Sequence, residues 1–127
     1  MSKVVLDASA LLALLNDERG AGSVQELLPD ALISAVNMAE VVTRLSLLGM
    51  PEEQIHEALS SLGLNVEPFE EEQAFRAGLF AAKTHSLGLS LGDRACLALA
   101  SATGAMAVTA DRAWKNLDLG VKIQLLR

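Results

Sequence analysis

The chain has 127 residues, 51% of them hydrophobic, and its formal net charge at pH 7 is −6. This length fits one domain, which we predict over residues 1–127. No apolar run approaches the roughly 20 residues that a membrane-spanning helix requires, which excludes a membrane protein. The acidic balance argues against a general nucleic-acid binder, because phosphate binding draws on a basic surface.

Cysteine and histidine usage narrows the chemistry further. The single cysteine, Cys96, excludes an internal disulfide and lies in an apolar segment, where we expect a small buried side chain rather than a nucleophile. One cysteine and two histidines disfavour a zinc site. The opening residues MSKVVLD lack the basic, apolar and small-residue order of a secretory signal, which predicts a cytoplasmic protein.

The first half of the chain alternates short apolar runs with helical patterns. VVL at 4–6 predicts a strand, and SALLALLNDE at 9–18 predicts the helix that follows it. ALISA at 31–35 predicts a second strand, followed by a helix over 37–49 whose apolar residues keep helical spacing. PEEQIHEALSSLG at 51–63 predicts a further amphipathic helix with proline in its first turn.

The second half continues the alternation. LNVEPF at 64–69 predicts a third strand, and the next segment, 70–88, predicts an amphipathic helix. A helix that is apolar on nearly every side is predicted over 91–103. The chain then ends with a strand, a short helix and a strand, over 105–110, 111–117 and 121–126. Strands that alternate with helices predict an α/β fold in which helices cover both faces of a parallel sheet.

Four acidic residues occupy comparable places in this pattern. Asp7 ends the first strand, Glu40 lies in the first helical turn after the second strand, and Asp111 follows the strand at 105–110. In an open parallel sheet, the carboxyl ends of the strands share one edge with the helix N-termini that follow them. Asp93 also begins a helix, but that helix follows a loop and not a strand, so the strand pattern alone does not place Asp93 on this edge.

Each acid also has a purely structural interpretation. Acidic residues are favoured in the first turn of a helix, and Asp7 and Asp111 are placed where N-caps occur. Two pairs have the spacing of a capping box, Asn37 with Glu40 and Ser90 with Asp93. Considered one at a time, all four acids are therefore explained by helix capping.

Convergence of the four acids would require a cation. Two carboxylates about 5 Å apart at an effective dielectric near 20 repel by roughly 3 kcal/mol, whereas a cap contributes only about 1 kcal/mol. Oxygen ligands without a nearby imidazole or thiolate suit a hard ion, which indicates Mg²⁺ or Mn²⁺. The acids therefore predict a metal site if they meet in space.

At these residues the sequence resembles a PIN domain, and more narrowly a VapC-type toxin of bacterial toxin–antitoxin pairs. The resemblance runs over the whole chain, through the blocks VVLDASALLALL, ISAVNMAEVV, GLSLGDRACLALA and AVTADRAW. It implies a three-layer α/β/α domain with a central parallel sheet of four or five strands. It also implies a Mg²⁺- or Mn²⁺-dependent endoribonuclease.

The resemblance assigns roles to individual residues. The four acids of the family fall on Asp7, Glu40, Asp93 and Asp111, which are the implied catalytic residues and metal ligands. The small hydroxyls associated with such a site match Ser9 and Thr109. Many relatives carry a further acid shortly after the last aspartate, where this chain has Ala113 and Trp114. The resemblance therefore does not extend to a second metal position.

The implied reaction is hydrolysis of RNA phosphodiesters by a metal-activated water, which leaves 5′-phosphate and 3′-hydroxyl ends. The resemblance further implies an RNA substrate, a cognate antitoxin protein as partner, and a homodimer.

Several basic residues lie close in sequence to the acids. The candidates for substrate binding are Arg44, Arg94, Arg112 and Lys115. Arg94 adjoins Asp93, where it would moderate the negative charge or meet the substrate backbone. Ordinary pairing within helices is an equally simple interpretation of all four.

Other function classes stay open. A solitary RNA-processing nuclease and a catalytically silent binding module are both compatible with a PIN-like domain. A phosphoryl-transfer or phosphoacceptor domain that uses Asp7 is disfavoured, because a haloacid dehalogenase-like site expects a second aspartate where Ser9 stands. Divalent-metal binding measured together with RNA cleavage separates the enzyme from the silent module.

Overall fold

The computed structural model describes residues 3–127. Met1 and Ser2 lie outside the described residues, and so do the first two positions of the predicted domain and of the opening MSKVVLD. A five-stranded sheet forms the centre of the structure. Its strands are β1 (Val4–Leu6), β2 (Ala31–Ser34), β3 (Asn65–Glu67), β4 (Met106–Thr109) and β5 (Ile123–Leu125). All neighbouring strands are parallel, in the order β3-β2-β1-β4-β5. The strand order reverses between β1 and β4, which places a crevice at the carboxyl ends of these two strands.

Helices connect the strands and cover the sheet. Their bounds are α1 (Ala8–Leu15), α2 (Ala21–Leu27), α3 (Ala35–Leu47), α4 (Glu52–Ser60), α5 (Glu71–Leu79), α6 (Ala81–Thr84) and α7 (Leu91–Thr103). Single turns of 3₁₀ helix occupy Leu28–Asp30, His85–Leu87 and Arg112–Trp114. No helix in the described part of the chain is long and apolar enough to cross a membrane.

The core lies on both faces of the sheet because β1 is buried on both sides. Val5 packs on one face against the apolar side of α7, in a cluster that includes Leu97, Leu99 and Trp114. Val4 and Leu6 point to the other face and pack with residues of α1 and α2. A third cluster joins α1, β2, α3 and α4. The prediction of a three-layer α/β/α fold around a parallel sheet is therefore confirmed, with five strands.

The structure differs from the predicted elements in several places. Helix α2 was not predicted, and the predicted helix over 111–117 is only the 3₁₀ turn at Arg112–Trp114. The predicted third strand is confined to β3. The predicted helix over 70–88 is divided into α5, α6 and a 3₁₀ turn, and the Thr84 hydroxyl donates to the Phe80 carbonyl at 2.9 Å within this segment. Such a bond from a side chain to the preceding turn bends a helix.

Candidate active site

The four predicted acids lie around the carboxyl edge of the sheet. Asp7 follows β1 and caps α1, while Asp111 begins the 3₁₀ turn two residues after β4 ends. Glu40 lies in α3, the helix that follows β2. Asp93 lies in the first turn of α7. Parallel strands that end at the same edge bring the first three together, and the packing of α7 against α3 and β1 brings Asp93 to them.

Asp7 is the most buried member of this group, with 3% of its surface exposed. Its Oδ1 accepts hydrogen bonds from the Ser9 hydroxyl at 2.7 Å and from the Ala10 backbone N–H at 2.8 Å. Its Oδ2 accepts a short hydrogen bond from the Thr109 hydroxyl. The predicted supporting hydroxyls, Ser9 and Thr109, are therefore both bound directly to the Asp7 carboxylate.

The same hydroxyls connect Asp7 to the segment that carries Asp111. The Ala110 backbone N–H donates to the Ser9 Oγ at 3.0 Å, and the Asp111 backbone N–H donates to the Thr109 Oγ1 at 3.0 Å. This hydrogen-bond network fixes the end of β1 against the end of β4. The network therefore fixes the position of the Asp111 backbone relative to the Asp7 side chain.

Burial raises the pKa of Asp7 from 3.8 to about 6, because removal from water disfavours the charged carboxylate. The hydrogen bonds from Thr109, Ser9 and Ala10 oppose this shift, since they stabilise the charged form. The negative charge of Asp93 adds to it. Asp7 is thus a carboxylate that would be more easily ionised with a cation beside it.

Asp93 takes part in the capping box of α7 and also belongs to the group of four acids. The Ser90 backbone N–H donates to Asp93 Oδ2 at 2.8 Å, and the Asp93 backbone N–H donates to the Ser90 hydroxyl at 3.2 Å. The predicted capping box of Ser90 and Asp93 is confirmed. Burial is the largest cause that raises the pKa of Asp93, and the nearby charge of Asp111 raises it further.

Glu40 is held by two residues whose contribution was not predicted. The Asn37 side-chain amide donates to Glu40 Oε1 at 2.8 Å and to the Gly92 carbonyl at 2.9 Å. A Cβ atom at Gly92 would overlap the Glu40 carboxylate, which therefore lies directly against the first turn of α7. A glycine inside an otherwise apolar helix was the available sequence signal, since glycine costs about 1 kcal/mol there relative to alanine.

The predicted capping box of Asn37 with Glu40 is wrong. Ser34 is the N-cap of α3, with its hydroxyl accepting from the Val36 backbone N–H at 3.2 Å. Helix α3 therefore begins at Ala35, and Asn37 lies inside it with 1% of its surface exposed. Because the helix begins earlier than predicted, the Asn37 side chain faces α7 instead of the helix end.

Capping and metal binding do not compete for the same carboxylate oxygens. Asp93 Oδ2, Asp111 Oδ1 and Glu40 Oε1 each accept a hydrogen bond from the protein. Among residues 3–127, no hydrogen-bond donor reaches the second oxygen of any of these three carboxylates. One oxygen of each thus stabilises the fold, and the other is available to a ligand.

The donor set fits a hard divalent ion. The available groups are carboxylate and hydroxyl oxygens, which Mg²⁺ and Mn²⁺ prefer. Among residues 3–127, no group of three or more Asp, Glu, His or Cys side chains already has a geometry that could hold a metal ion. Mg²⁺ usually keeps several waters and contacts one or two carboxylates, so an ion here would meet some of these acids through water.

Cys96 lies behind the acids and not among the candidate ligands. It is fully buried in α7, as predicted. Burial raises the pKa of its thiol well above the usual value, and the charges of Asp7, Asp93 and Glu40 raise it further. A thiol in this environment stays protonated and packs as a small apolar side chain.

The four basic candidates are positioned differently from one another. Arg44, Arg112 and Lys115 are exposed, and Arg44 lines an open groove together with Glu40. The Arg94 guanidinium donates to the Ala77 carbonyl of α5 at 3.0 Å, so this contact directs it to α5. Its positive charge nevertheless lowers the pKa of Asp93, which agrees with the predicted moderation of negative charge.

Pairing of these basic residues within helices is not observed. The ion pairs in the described part of the chain join His56 to Glu52 at 3.9 Å and Arg127 to Glu18 at 3.1 Å. Neither pair includes one of the four basic candidates. Their predicted contact with substrate stays a prediction, as do the predicted catalytic and metal-binding roles of the four acids.

A family model described as PIN domain matches residues 4–119 of the chain. The match spans all four acids and every strand except β5. No curated protein sequence matches the chain at a significant level.

Solved structures share the fold at low sequence identity. The DNA-bound VapBC complex from Salmonella typhimurium contains a chain that matches with a TM-score of 0.78 and 19% identity over 100% of both chains. A toxin–antitoxin complex from Klebsiella pneumoniae matches with a TM-score of 0.75 and 20% identity over 98% of each chain. VapC20 from Mycobacterium tuberculosis, a toxin that cleaves the sarcin-ricin loop, matches with a TM-score of 0.68 and 17% identity, covering 94% of this chain and 99% of VapC20.

Proposed function

The chain belongs to the PIN domain family, and we propose that it is a Mg²⁺- or Mn²⁺-dependent endoribonuclease that acts in the cytoplasm as the toxin of a toxin–antitoxin pair. The observation that carries the proposal is the group of four acids at the carboxyl edge of the sheet, where burial raises the pKa of Asp7 and of Asp93, the charge of Asp93 adds to the first shift and the charge of Asp111 adds to the second. Capping alone does not require this arrangement, because a cap functions without a second carboxylate nearby.

The reaction class follows from the types of donor at this edge. Asp93 and Asp111 would hold a divalent ion, directly or through water, with the oxygens that do not cap helices, and Asp7 would do so with Oδ2, which also accepts from the Thr109 hydroxyl. The chemistry that a bound divalent ion supplies is Lewis acidity, which polarises a phosphoryl oxygen and makes water a stronger nucleophile. The buried hydroxyl of Thr109 and the hydroxyl of Ser9 keep Asp7 oriented for this role.

Glu40 would complete the ligand set or orient the attacking water. Its Oε1 is held by Asn37, so Oε2 is the oxygen that would accept a hydrogen bond, and then the proton, from that water. Water would attack phosphorus in line with the 3′-oxygen, which departs as its bond to phosphorus breaks and takes a proton from solvent water. The products are 5′-phosphate and 3′-hydroxyl ends, and the 2′-hydroxyl takes no part.

RNA is the proposed substrate, and the acidic chain sets limits on how it binds. Exposed glutamates of α4 and α5 account for much of the excess charge, including Glu52, Glu53, Glu57, Glu71 and Glu72. Because the chain carries a formal net charge of −6, affinity for bulk RNA should be weak and salt-sensitive. A folded RNA that is recognised by its shape suits such a surface better than any single strand. VapC20, one of the structural neighbours, cleaves an RNA loop, which supports this substrate class.

An antitoxin and a second copy of the chain are the proposed protein partners. VapBC complexes and another toxin–antitoxin complex are among the structural neighbours. Large apolar side chains are exposed at the end of α3 and on α5, among them Leu47 at 81%, Leu48 at 66% and Phe75 at 71%. Apolar side chains exposed in groups are typical of surfaces that bind other proteins.

Substitution of Asp93 by asparagine tests the proposed activity. The amide introduced by Asp93→Asn keeps an oxygen that can accept from the Ser90 backbone N–H, so the capping box and the fold should persist. We expect Mg²⁺-dependent cleavage of a folded RNA to fall at least about 100-fold, because a lost ligand removes several kcal/mol of charge stabilisation.

The matched control is Ser90→Ala, which removes the other half of the same capping box but no acid. It should lower stability by about 1 kcal/mol and retain most of the activity. Cleavage by Asp93→Asn at the wild-type rate would contradict the catalytic role. Absence of both metal binding and cleavage in the wild type would instead support a silent binding module.

A further inference from the structure

Asn37 is a buried polar residue at the contact between α3 and α7. Its side chain is 1% exposed, and its amide nitrogen donates to Glu40 Oε1 and to the Gly92 carbonyl. Both partners are acceptors, so only the nitrogen of the amide can bind them. The orientation of the amide is therefore determined by chemistry, although oxygen and nitrogen are hard to tell apart by shape.

This orientation leaves the other end of the amide unsatisfied. Asn37 Oδ1 is buried and has no hydrogen-bond donor among residues 3–127. A buried acceptor without a partner lowers stability, and an apolar side chain of the same size would avoid that cost. The two donated hydrogen bonds offset this cost, and they connect Asn37 to the Glu40 carboxylate and to the first turn of α7.

Gly92 contributes from the opposite side of the same contact. The Glu40 carboxylate occupies the space into which a Cβ atom at Gly92 would project. Gly92 is buried and its carbonyl receives the second hydrogen bond of Asn37. The glycine therefore gives the carboxylate room next to Asp93, and its carbonyl keeps the asparagine pointed towards the carboxylate.

Glu40 needs such support more than the other acids. It is exposed on α3 and has a long side chain with several rotatable bonds, whereas Asp7 is buried and bound by three donors. An exposed glutamate loses considerable rotamer freedom when it is fixed. Residues that restrict it beforehand reduce that loss at the moment when a ligand binds.

We infer that Asn37 and Gly92 are positioning residues that hold the Glu40 carboxylate beside Asp93, so that Glu40 acts at the metal site in a preset orientation. This inference rests on the proposed function. It assigns Asn37 a role through Glu40 and no direct contact with substrate or metal. Residues that hydrogen-bond to a metal ligand typically affect metal affinity about 10- to 100-fold. The effect of substituting Asn37 should therefore be measurable in metal binding as well as in the rate of cleavage.

A double-mutant cycle on Mn²⁺ affinity tests it. Asn37→Leu removes both donated hydrogen bonds and adds no charge, and we expect it to weaken Mn²⁺ binding, measured by calorimetry, about 10-fold or more. In a Glu40→Ala background, the same substitution should change Mn²⁺ affinity less than about 2-fold, because residues that act through one another are not additive. Gly92→Ala should behave as Asn37→Leu does in both backgrounds.

Val41→Ala is the control for a purely structural effect, since Val41 is fully buried on the same helix and packs into the core. It should lower the urea midpoint of unfolding and leave Mn²⁺ affinity within about 2-fold of the wild type. If Asn37→Leu does not fold, Asn37→Ala and Gly92→Ala supply the same cycle.

The outcomes separate the two proposals. Weakening by Asn37→Leu that is equal in the wild-type and Glu40→Ala backgrounds, or no weakening at all, overturns the positioning role while the proposed function stands. Failure of the wild type to bind Mn²⁺ and to cleave RNA overturns the proposed function, and the positioning role with it.

Discussion

Individual carboxylates in this protein serve the fold and the site together. Asp7, Asp93 and Asp111 each accept a backbone N–H at the start of a helix or helical turn. Asp93 and Asp111 still keep a second oxygen to which no donor comes from the described residues. Capping and metal binding, which were alternatives in the sequence, are therefore compatible in the structure.

Burial of Asp7 predicts a specific dependence of stability on pH. Its pKa in the folded protein, about 6, is raised above 3.8, so between these values the folded state binds more protons than the unfolded state. The contribution of Asp7 to stability is thus fully present below about pH 4 and is lost as the pH rises through about 6. Without divalent metal, this loss is on the order of 2 to 3 kcal/mol by about pH 7.

Asp7→Asn should lack this loss, because its side chain does not ionise. We expect the difference in unfolding free energy between Asp7→Asn and the wild type to shift in favour of the variant from about pH 4 to about pH 7, in urea titrations with chelator present. A difference that stays constant over this range would show that Asp7 is not a buried acid with a raised pKa.

At the scale of elements, apolar runs predicted all five strands but not every helix. Short β-branched segments such as VVL and MAVT form the buried strands because they pack on both faces of a parallel sheet. Helix α2 was missed because its sequence, AGSVQEL, follows one glycine, contains another and has a single fully buried residue, Val24. The segment therefore has too few apolar residues to show helical spacing in the sequence.

The sequence located three of the four acids for a physical reason. Asp7, Glu40 and Asp111 follow strands, and parallel strands must end at one edge. The contacts of Asn37 with Glu40 and Gly92 were not predictable, because they depend on how α3 packs against α7 across 55 residues of chain. Placement of the N-cap of α3 at Asn37 instead of Ser34 also gave Asn37 the wrong role.

Gly20 at the start of α2 offers a test of this missed element. It has a φ of +102°, and a Cβ atom there would lie 2.9 Å from the Cβ of Leu126, beyond β5. Gly20→Ala should therefore be destabilised both by backbone strain, about 1 kcal/mol or more, and by a collision with the C-terminal segment.

Gly49 is the matched control, with a φ of +93° and no atom within 4 Å of the corresponding Cβ. Gly49→Ala should show the strain without the collision, so thermal unfolding should occur at a lower temperature for Gly20→Ala than for Gly49→Ala. Equal melting temperatures would mean that Gly20 is not packed against Leu126.

At the scale of the whole molecule, the acidic residues of the surface differ from those of the site. Glutamates of α4 and α5 are exposed to solvent, whereas Asp7 and Asp93 are drawn into the carboxyl edge of the sheet, where their pKa values are raised. Only the second group has a repulsion that a bound cation would relieve. We therefore propose that this edge binds a hard divalent ion.

Titration of the chain with Mn²⁺ at neutral pH, followed by electron paramagnetic resonance of the unbound ion, tests that claim most directly. The comparison is with an Asp7→Asn/Asp93→Asn double variant, whose caps can persist through the remaining side-chain oxygens. We predict that the wild type binds Mn²⁺, that Mg²⁺ displaces it, and that the folded double variant binds at least about 100-fold more weakly. Equal Mn²⁺ affinity in the two proteins, or no binding by the wild type, would contradict the account.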